Sequence, residues 1–185
     1  MVTPTDAMAN SPYTDALLRL LGRRKVFVSY HHHGDRGYYD SLSSVISSEY
    51  DVIQDNSVER EIDSDDSDYV IRRIREDYIT GTSCTLVLCG ADTCDRKFVD
   101  WEIKATLDAH HGLIGIALPT ARLSADGCVV VPARLHDNIV SGFGVWTDWE
   151  QLFSGPLALK TVIEMATARR SSLIDNSRPL RRRNG

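Results

Sequence analysis

Cysteine is scarce in this chain, at 4 of 185 residues. The four are Cys84, Cys89, Cys94 and Cys128, and they form neither a CxxC pair nor a dense disulfide pattern. This spacing argues against a zinc site and against a small secreted domain held by disulfides. Cys84 and Cys89 fall in an apolar run that is typical of a strand, where thiols pack as small core side chains. A reducing, cytoplasmic environment is therefore expected.

Long apolar runs and an excess of positive charge are also lacking. No stretch approaches the roughly 20 apolar residues of a membrane-spanning helix, so none is expected. The N-terminus shows no basic segment followed by an apolar one, so a secretory signal is not expected either. The formal net charge is −5, which disfavours binding of nucleic acid or of an anionic membrane by the whole surface.

The composition predicts one folded domain with two extensions. The chain is 42% hydrophobic and 25% charged, ordinary values for a globular domain of this length. We expect residues 1–22 to form an N-terminal extension with a short helix, and residues 23–170 to form the domain. Residues 171–185 carry Arg178, Arg181, Arg182 and Arg183. They are expected to be a disordered tail, because nothing aromatic accompanies the charges.

Apolar, strand-like runs alternate with helical patterns along the domain. The expected strands are Lys25–Tyr30, Asp51–Gln54, Thr85–Cys89, Leu113–Leu118 and Phe143–Trp146. The expected helices are Tyr38–Ser48, Tyr69–Ile79, Val99–His110 and Leu157–Ala168. This alternation predicts an α/β fold, a flavodoxin-like three-layer sandwich with a central five-stranded parallel sheet. With the strand order 2-1-3-4-5, the ligand crevice lies between the carboxyl ends of the first and third strands.

Three consecutive histidines, His31 to His33, follow the first strand at one lip of this crevice. Adjacent residues in extended chain point in opposite directions, so the three side chains do not converge on one metal ion without an unusual loop. No cysteine or carboxylate stands at metal-ligand spacing beside them. We therefore expect no metal site, and we interpret the segment as a loop that lines a ligand, in which Gly34 and Gly37 allow a close approach of the backbone.

The acidic run DSDDSD, Asp63 to Asp68, resembles a calcium-binding loop only in part. An EF-hand needs glycine at the sixth position and glutamate at the twelfth, where this chain has Asp68 and Ile74. A solvated loop is expected instead. Ser67 or Asp68 is then expected to cap the following helix, because a polar or acidic side chain there satisfies free N–H groups and complements the helix dipole.

The stretch CGADTCDRKFVDWEIKATL joins the third strand to its helix. It places Glu102 in the first two turns of that helix, beside Trp101 and near the mouth of the expected crevice. A carboxylate that is half-shielded by an aromatic ring suits the stabilisation of developing positive charge. The same residue is explained slightly better, from physics alone, as a carboxylate favoured by the helix dipole. The residues by themselves leave both interpretations open.

Four stretches of the sequence resemble the TIR-like proteins of the ThsB type from the bacterial Thoeris antiphage system. In chain order they are VFVSYHHHGD, DVIQDNSVEREIDSDDSDYVIRRIREDYI, TLVLCG and KFVDWEI. The similarity runs from about Lys25 to Pro119. Ser29 and Tyr30 stand at the Ser-Tyr that ends the first strand in this family, and Glu102 stands at its catalytic glutamate. Several motifs occur in the right order, so the resemblance is specific.

The resemblance implies cleavage of the nicotinamide–ribose bond of NAD, with NAD as substrate and no further cofactor. It assigns the catalytic role to Glu102. The residues that it implies for binding the dinucleotide are Ser29, Tyr30, His31, His32, Asp35, Phe98 and Trp101. Phe98 and Val99 replace the Trp and Cys that usually open the glutamate motif. The product, a cyclic or conjugated ADP-ribose that activates an effector, is therefore left open.

Assembly and alternative functions complete the expectations. The resemblance implies head-to-tail homo-oligomers in which the loop Asp55–Ser67 of a neighbour completes the site. The main alternative is a non-catalytic, TIR-like adaptor that acts by self-association. A receiver-like phosphoacceptor domain ranks third, because its chemistry needs clustered aspartates where this chain has Ser29, Tyr30 and His31.

Overall fold

A five-stranded parallel sheet forms the centre of the computed structural model, which describes residues 24–47, 50–54, 66–155 and 157–185. Its strands are β1 (Arg24–Ser29), β2 (Tyr50–Gln54), β3 (Thr82–Cys89), β4 (Gly112–Ala117) and β5 (Val145–Asp148). They lie in the order β2-β1-β3-β4-β5, and every neighbouring pair is parallel. The predicted strand order is confirmed, and it puts the switch point of the sheet between β1 and β3.

Helices cover both faces of this sheet. They are α1 (His32–Ile46), α2 (Ser67–Ile74, continued by the π-helical segment Arg75–Ile79), α3 (Lys97–Asp108), α4 (Ala133–Val140), α5 (Trp149–Leu152) and α6 (Ala158–Thr167). On one face, α1 and α6 join the core through Leu42 and Ile163. On the other, α2, α3 and α4 pack through Ile74, Ile103 and Leu135. The predicted three-layer sandwich is therefore confirmed. In the described part of the chain, no helix combines the length and the apolarity needed to cross a membrane.

Burial on both faces explains the contiguous apolar run of β1. Val26, Phe27 and Val28 are each 0% exposed. Val26 and Val28 belong to the core beside α1, whereas Phe27 belongs to the core beside α2. Because side chains alternate between the two faces of a strand, Ser29 shares the face of Phe27 and Tyr30 shares the face of Val28. This alternation decides which residues meet at the switch point.

α1 starts at His32, well before the predicted start at Tyr38. His31 is its extended N-cap residue, and the N–H of Asp35 donates to the carbonyl of His31 at 2.9 Å. An aspartate in the first turn complements the helix dipole, which offsets the low helix propensity of the glycines nearby. The expectation of an irregular loop is therefore wrong for His32 and His33, which lie on the helix.

The sequence pattern does not predict α4, which follows Pro132. Its buried residues are Arg134, Leu135 and Asn138, so two of the three inward positions are polar. Without an apolar stripe, such a segment reads as a loop. Burial of the arginine is possible because its Nε donates to the carboxylate of Asp100 at 2.9 Å.

The N-cap of α2 is Asp66, not the predicted Ser67 or Asp68. Its carboxylate accepts hydrogen bonds from the N–H groups of Asp68 at 3.0 Å and Tyr69 at 3.2 Å. The rest of the acidic loop, residues 55–65, lies outside the described residues, as does the helix predicted within residues 1–22.

The C-terminal residues 171–185 follow a defined path over α3 and α4, contrary to the expectation of a disordered tail. Arg178 pairs with Asp137 of α4 at 2.7 Å. The indole N–H of Trp101 donates to the carbonyl of Arg181 at 2.8 Å. Composition alone does not reveal this order, because the partners of the arginines lie far away in the sequence.

Candidate active site

A buried hydrogen-bond chain joins the loops that follow β1 and β3. Asp35, in the first turn of α1, is 2% exposed. The hydroxyl of Thr93 donates to its carboxylate at 3.0 Å, and the same hydroxyl accepts from the N–H of Gly90 at 2.9 Å. The two lips of the switch-point crevice are therefore held together by one threonine. In the structure Asp35 joins the two loops, and its expected contact with a dinucleotide stays a prediction.

The junction between the two loops leaves no space for a side chain at Gly90. A Cβ built on it would overlap the carboxylate of Asp35. The backbone after β3 can approach α1 this closely only because glycine has no side chain. Any larger residue would push the two lips apart.

The electrostatics of Asp35 follow from its burial. Desolvation raises the pKa of its carboxyl group, and the hydrogen bond from Thr93 and the charge of the nearby His31 oppose that rise only in part. The N–H of Asp35 is also bound to the carbonyl of His31. The histidine next to the end of β1 is therefore tied to the same junction.

Ser29, the last residue of β1, lies at the switch point on the face covered by α2 and α3. It is 0% exposed, and its hydroxyl has no hydrogen-bond partner among the described residues. In β3 its register partner is Val87. A buried hydroxyl without a partner costs free energy in a folded protein, which singles out Ser29 as a group that gains by binding a ligand.

Glu102 lies on the side of α3 that faces the sheet. One turn further along the helix, Thr106 is hydrogen-bonded to Thr85 of β3, with 2.6 Å between the hydroxyl oxygens. Because α3 runs antiparallel to β3, one turn back, about 5.4 Å, corresponds to roughly two strand residues toward the carboxyl end. Glu102 therefore lies at the level of Val87 and its register partner Ser29. It is 3% exposed.

Tyr30 and His32 lie on the opposite side of the sheet from Glu102. Tyr30 belongs to the core beside α1 and α6 and stacks on Tyr39 with 4.8 Å between ring centroids. Its hydroxyl lies 3.3 Å from Nδ1 of His32. The structure therefore does not bring the side chain of Tyr30 to the glutamate, and its contact with a dinucleotide stays a prediction.

The three histidines have different environments. His31 is buried, His32 is half-buried and His33 is exposed. The ring centroids of His31 and His33 are 5.9 Å apart. Among the described residues, no three His, Cys, Asp or Glu side chains come together as a set of metal ligands.

Phe98 and Trp101 occupy the first turns of α3 but differ in exposure. Their rings are 5.5 Å apart at 63°, and Nζ of Lys97 lies 4.8 Å from the centroid of Phe98. Trp101 is 6% exposed and belongs to the core around Phe27 and Ile74. It is therefore a packing residue. Phe98 is half-buried, which leaves part of its ring open to a ligand.

Gly90 and Thr93 are the residues of this region that sequence reasoning missed. The signal available was a glycine at the end of a strand, followed three positions later by a small hydroxyl residue, which is a weak pattern on its own.

The groove lined by Tyr38, Val45, Trp149 and Phe153 lies between α1 and α5, on the face away from Glu102. The candidate site therefore consists of Ser29, Glu102 and Phe98 on the α3 face, with Asp35, Gly90 and Thr93 holding its edges.

Comparison with known proteins gives the family of the chain. A family model described as Thoeris protein ThsB, TIR-like domain, matches residues 27–122, more than half of the chain. The matched span begins in β1, ends shortly after β4, and contains Ser29, Asp35, Thr93 and Glu102. No curated protein matches the chain. The chain therefore belongs to the ThsB family of the Thoeris antiphage defence system and carries its TIR-like domain.

Proposed function

We propose that the chain cleaves the bond between nicotinamide and ribose in NAD, with Glu102 as the catalytic carboxylate. The observation that carries the proposal is the position of this residue. It is a buried carboxylate on the sheet-facing side of α3, at the level of Ser29 and next to the switch point. Parallel α/β sheets bind their ligands at this point.

The chemistry needs little beyond placement and a negative charge. When the C1′–N bond breaks, both of its electrons go to the nicotinamide nitrogen, so a cationic group leaves as a neutral molecule. The ribose is left with oxocarbenium-like positive charge, which a carboxylate held in a poorly hydrated site stabilises. The oxygen of water or of an acceptor hydroxyl then bonds to C1′ and releases its proton. Water gives ADP-ribose, and another acceptor gives a cyclic or conjugated ADP-ribose that can serve as a signal.

The other groups of the site have matching roles in the proposal. The buried hydroxyl of Ser29 binds a ribose hydroxyl, which provides the hydrogen bond that the described structure does not. The half-buried ring of Phe98 packs against a base or the nicotinamide ring, and such stacking contributes about 1 kcal/mol beyond burial. Asp35 and Thr93 hold the two lips in register, and His31 lies next to that junction.

The low exposure of Glu102 bears on regulation. Because the residue is only 3% exposed, NAD reaches it only after the surrounding chain moves. We therefore expect the resting protein to have little activity and a trigger during phage infection to raise it. As part of the same proposal, the protein works in the cytoplasm, assembles into homo-oligomers, and acts on a downstream effector through the diffusible product.

The test is nicotinamide release from NAD by the purified chain, alone and with lysate from phage-infected cells. We expect release with infected lysate and little without it. Glu102→Gln keeps the size of the side chain and removes the charge, so release should fall by about a hundredfold or more. Glu164→Gln, an exposed glutamate of α6, is the matched control and should behave as the wild type.

If no nicotinamide is released in either condition, with folded protein and intact NAD, the proposed enzyme activity is overturned. The alternative, a non-catalytic adaptor, is then favoured. In that case Glu102→Gln also keeps its protective effect in phage-challenged cells. Equal loss in Glu102→Gln and Glu164→Gln would show that the assay responds to net charge and not to the site.

A further inference from the structure

The C-terminal residues 174–185, here called the strap, contact the first five residues of α3 through three hydrogen bonds. The side-chain oxygen of Asn184 accepts from the N–H of Lys97 at 2.9 Å. The N–H of Arg181 donates to the carboxylate of Asp100 at 2.9 Å, and its carbonyl accepts from the indole N–H of Trp101 at 2.8 Å. The strap therefore satisfies three polar groups at the start of the helix that carries Glu102.

The local sequence does not supply these partners. Arg96, the N-cap residue of α3, makes no side-chain capping bond. The first N–H groups of a helix need acceptors from outside the helix. Asn184, 87 positions away, provides one of them. The start of α3 thus depends on the far end of the described chain.

A second set of contacts anchors the strap to α4. Asn138 donates from its amide to the carbonyl of Asp175 at 2.7 Å and accepts from the N–H of Asp175 at 3.0 Å. The fully buried Arg134 bonds the side chain of Asn176 at 2.7 Å and the carbonyl of Pro179 at 3.2 Å. The strap is therefore held at both ends of its path, on α4 and on α3.

The interface is mostly polar, and this sets its strength. Two apolar side chains of the strap pack against the protein. Leu180 packs against the core beside Trp101, and Ile174 packs against the core beside α4. The sheet itself is covered by α3 and α4. Segments held by few apolar contacts open locally while the rest of a protein stays folded. The strap can therefore detach without loss of the sheet.

We propose that the strap is a positioning element for Glu102: seated, it fixes the first two turns of α3, and released, it lets the carboxylate leave its place over the sheet. The proposal rests on NAD cleavage at Glu102. Asp100 and Trp101, which the strap binds, directly precede Glu102 on the helix, so a shift of that turn moves the glutamate with it. Displacement of the strap lowers the rate of the reacting complex more than it changes the affinity for NAD.

The test is a pair of proline substitutions in the full chain. Arg181→Pro removes the N–H that donates to Asp100 and also the guanidinium, which contacts the carbonyl and the carboxylate of Asp95 at 3.1 Å and 3.6 Å. Arg181→Ala removes the guanidinium alone and measures that part of the effect. Arg183→Pro is the matched control, because the N–H of Arg183 has no hydrogen-bond partner among the described residues. In Arg181→Pro we expect amide hydrogen exchange across residues 98–103 to accelerate about tenfold relative to Arg181→Ala, which is the effect of one lost hydrogen bond to a charged group. In the control, exchange should match the wild type.

Kinetics then separate positioning from simple loss of fold. With the folded fraction checked by circular dichroism, we expect kcat for nicotinamide release by Arg181→Pro to fall about tenfold while KM changes by less than about threefold. A chain that ends at Leu173 should be slow as well, and a peptide of residues 174–185 added in trans should restore its rate. If the shortened chain fails to fold, the proline pair decides the question alone.

Unchanged exchange in Arg181→Pro would overturn the strap as a clamp on α3. Faster exchange with unchanged or increased kcat would overturn its role in positioning Glu102. If the wild type itself releases no nicotinamide under any condition, the proposed function fails. The exchange comparison then decides by itself whether the strap fixes the helix.

Discussion

Asp35 and Thr93 are 58 positions apart in the chain, and the hydroxyl of Thr93 donates to the carboxylate of Asp35 at 3.0 Å. The same hydroxyl accepts from Gly90 at the end of β3. The segments after β1 and β3 are thereby joined into one unit at the switch point. The shape of the candidate site depends on this bond as well as on the sheet.

Thr93→Val tests the bond with little change of shape. The substitution leaves the buried carboxylate of Asp35 and the N–H of Gly90 without this partner. We expect the free energy of unfolding, measured by urea denaturation, to fall by about 2 kcal/mol. Thr93→Ser keeps the hydroxyl, so its free energy of unfolding should fall clearly less than that of Thr93→Val. Equal losses in the two variants would show that the methyl group matters and the hydrogen bond does not.

The pH dependence of the free energy of unfolding should reflect the ionisation of the Asp35 carboxyl group. Burial raises the pKa of its carboxyl group above the ordinary value of 3.8. The folded protein therefore holds this proton more tightly than the unfolded chain, so its contribution to stability is fully present below pH 3.8 and is lost as the pH rises through the folded-state pKa. Asp35→Asn does not titrate. The free energy of unfolding of the wild type minus that of Asp35→Asn should fall as the pH rises above 3.8, and a rise in urea denaturation would contradict the assignment.

Ser29→Ala separates a binding role from a structural one. The buried hydroxyl has no hydrogen-bond partner among the described residues, so the free energy of unfolding should change by less than about 1 kcal/mol. If the hydroxyl binds ribose, kcat/KM for nicotinamide release should fall about tenfold. Ser41→Ala, on the exposed side of α1, is the control and should leave kcat/KM unchanged. Loss of stability without loss of kcat/KM would make Ser29 a structural residue.

The fold could be predicted from the sequence because each strand of the sheet interior is a short apolar run. Val26, Phe27 and Val28 show this directly, since burial on both faces demands such a run. Glu102 could be placed near the switch point because a helix that follows a parallel strand starts at the carboxyl edge of the sheet. The period-two alternation that puts Tyr30 on the other face was also available in the sequence.

Helix α4 and the ordered C-terminal segment could not be predicted, because both depend on partners that are distant in the chain. Arg134 interrupts any apolar stripe in α4 and is stable there only because Asp100 faces it. The order of the C-terminal segment depends on groups such as Asp137 and Trp101, which pair with Arg178 and Arg181 across long separations. Local propensity and composition contain no record of such pairs, so the helix and the strap could not be read from them.

Cysteine reactivity should divide the four thiols into one fast and three slow groups. Burial raises the pKa of Cys84 to about 12 and raises that of Cys89 as well, and Cys94 is 5% exposed. Cys128 is exposed. Because the thiolate is the reactive form, an aromatic disulfide reagent at mildly alkaline pH should label Cys128 quickly and the other three only on unfolding. Cys128→Ser should abolish the fast phase, and a second fast thiol in the native protein would contradict the described burial.

Two aspartate substitutions compare a buried ion pair with an exposed one. Asp100 pairs with Arg134, and their side chains are 9% and 0% exposed. Asp137 pairs with Arg178, and their side chains are 21% and 44% exposed. Asp100→Asn leaves a buried guanidinium without its counter-charge, so the free energy of unfolding should fall by about 3 to 5 kcal/mol. Asp137→Asn should cost less than about 1 kcal/mol, because water screens and solvates the exposed pair. Urea denaturation of both variants gives the comparison. Similar losses would mean that the junction of α3, α4 and the strap admits water, and the strap would then be too loosely seated to hold Glu102 in place.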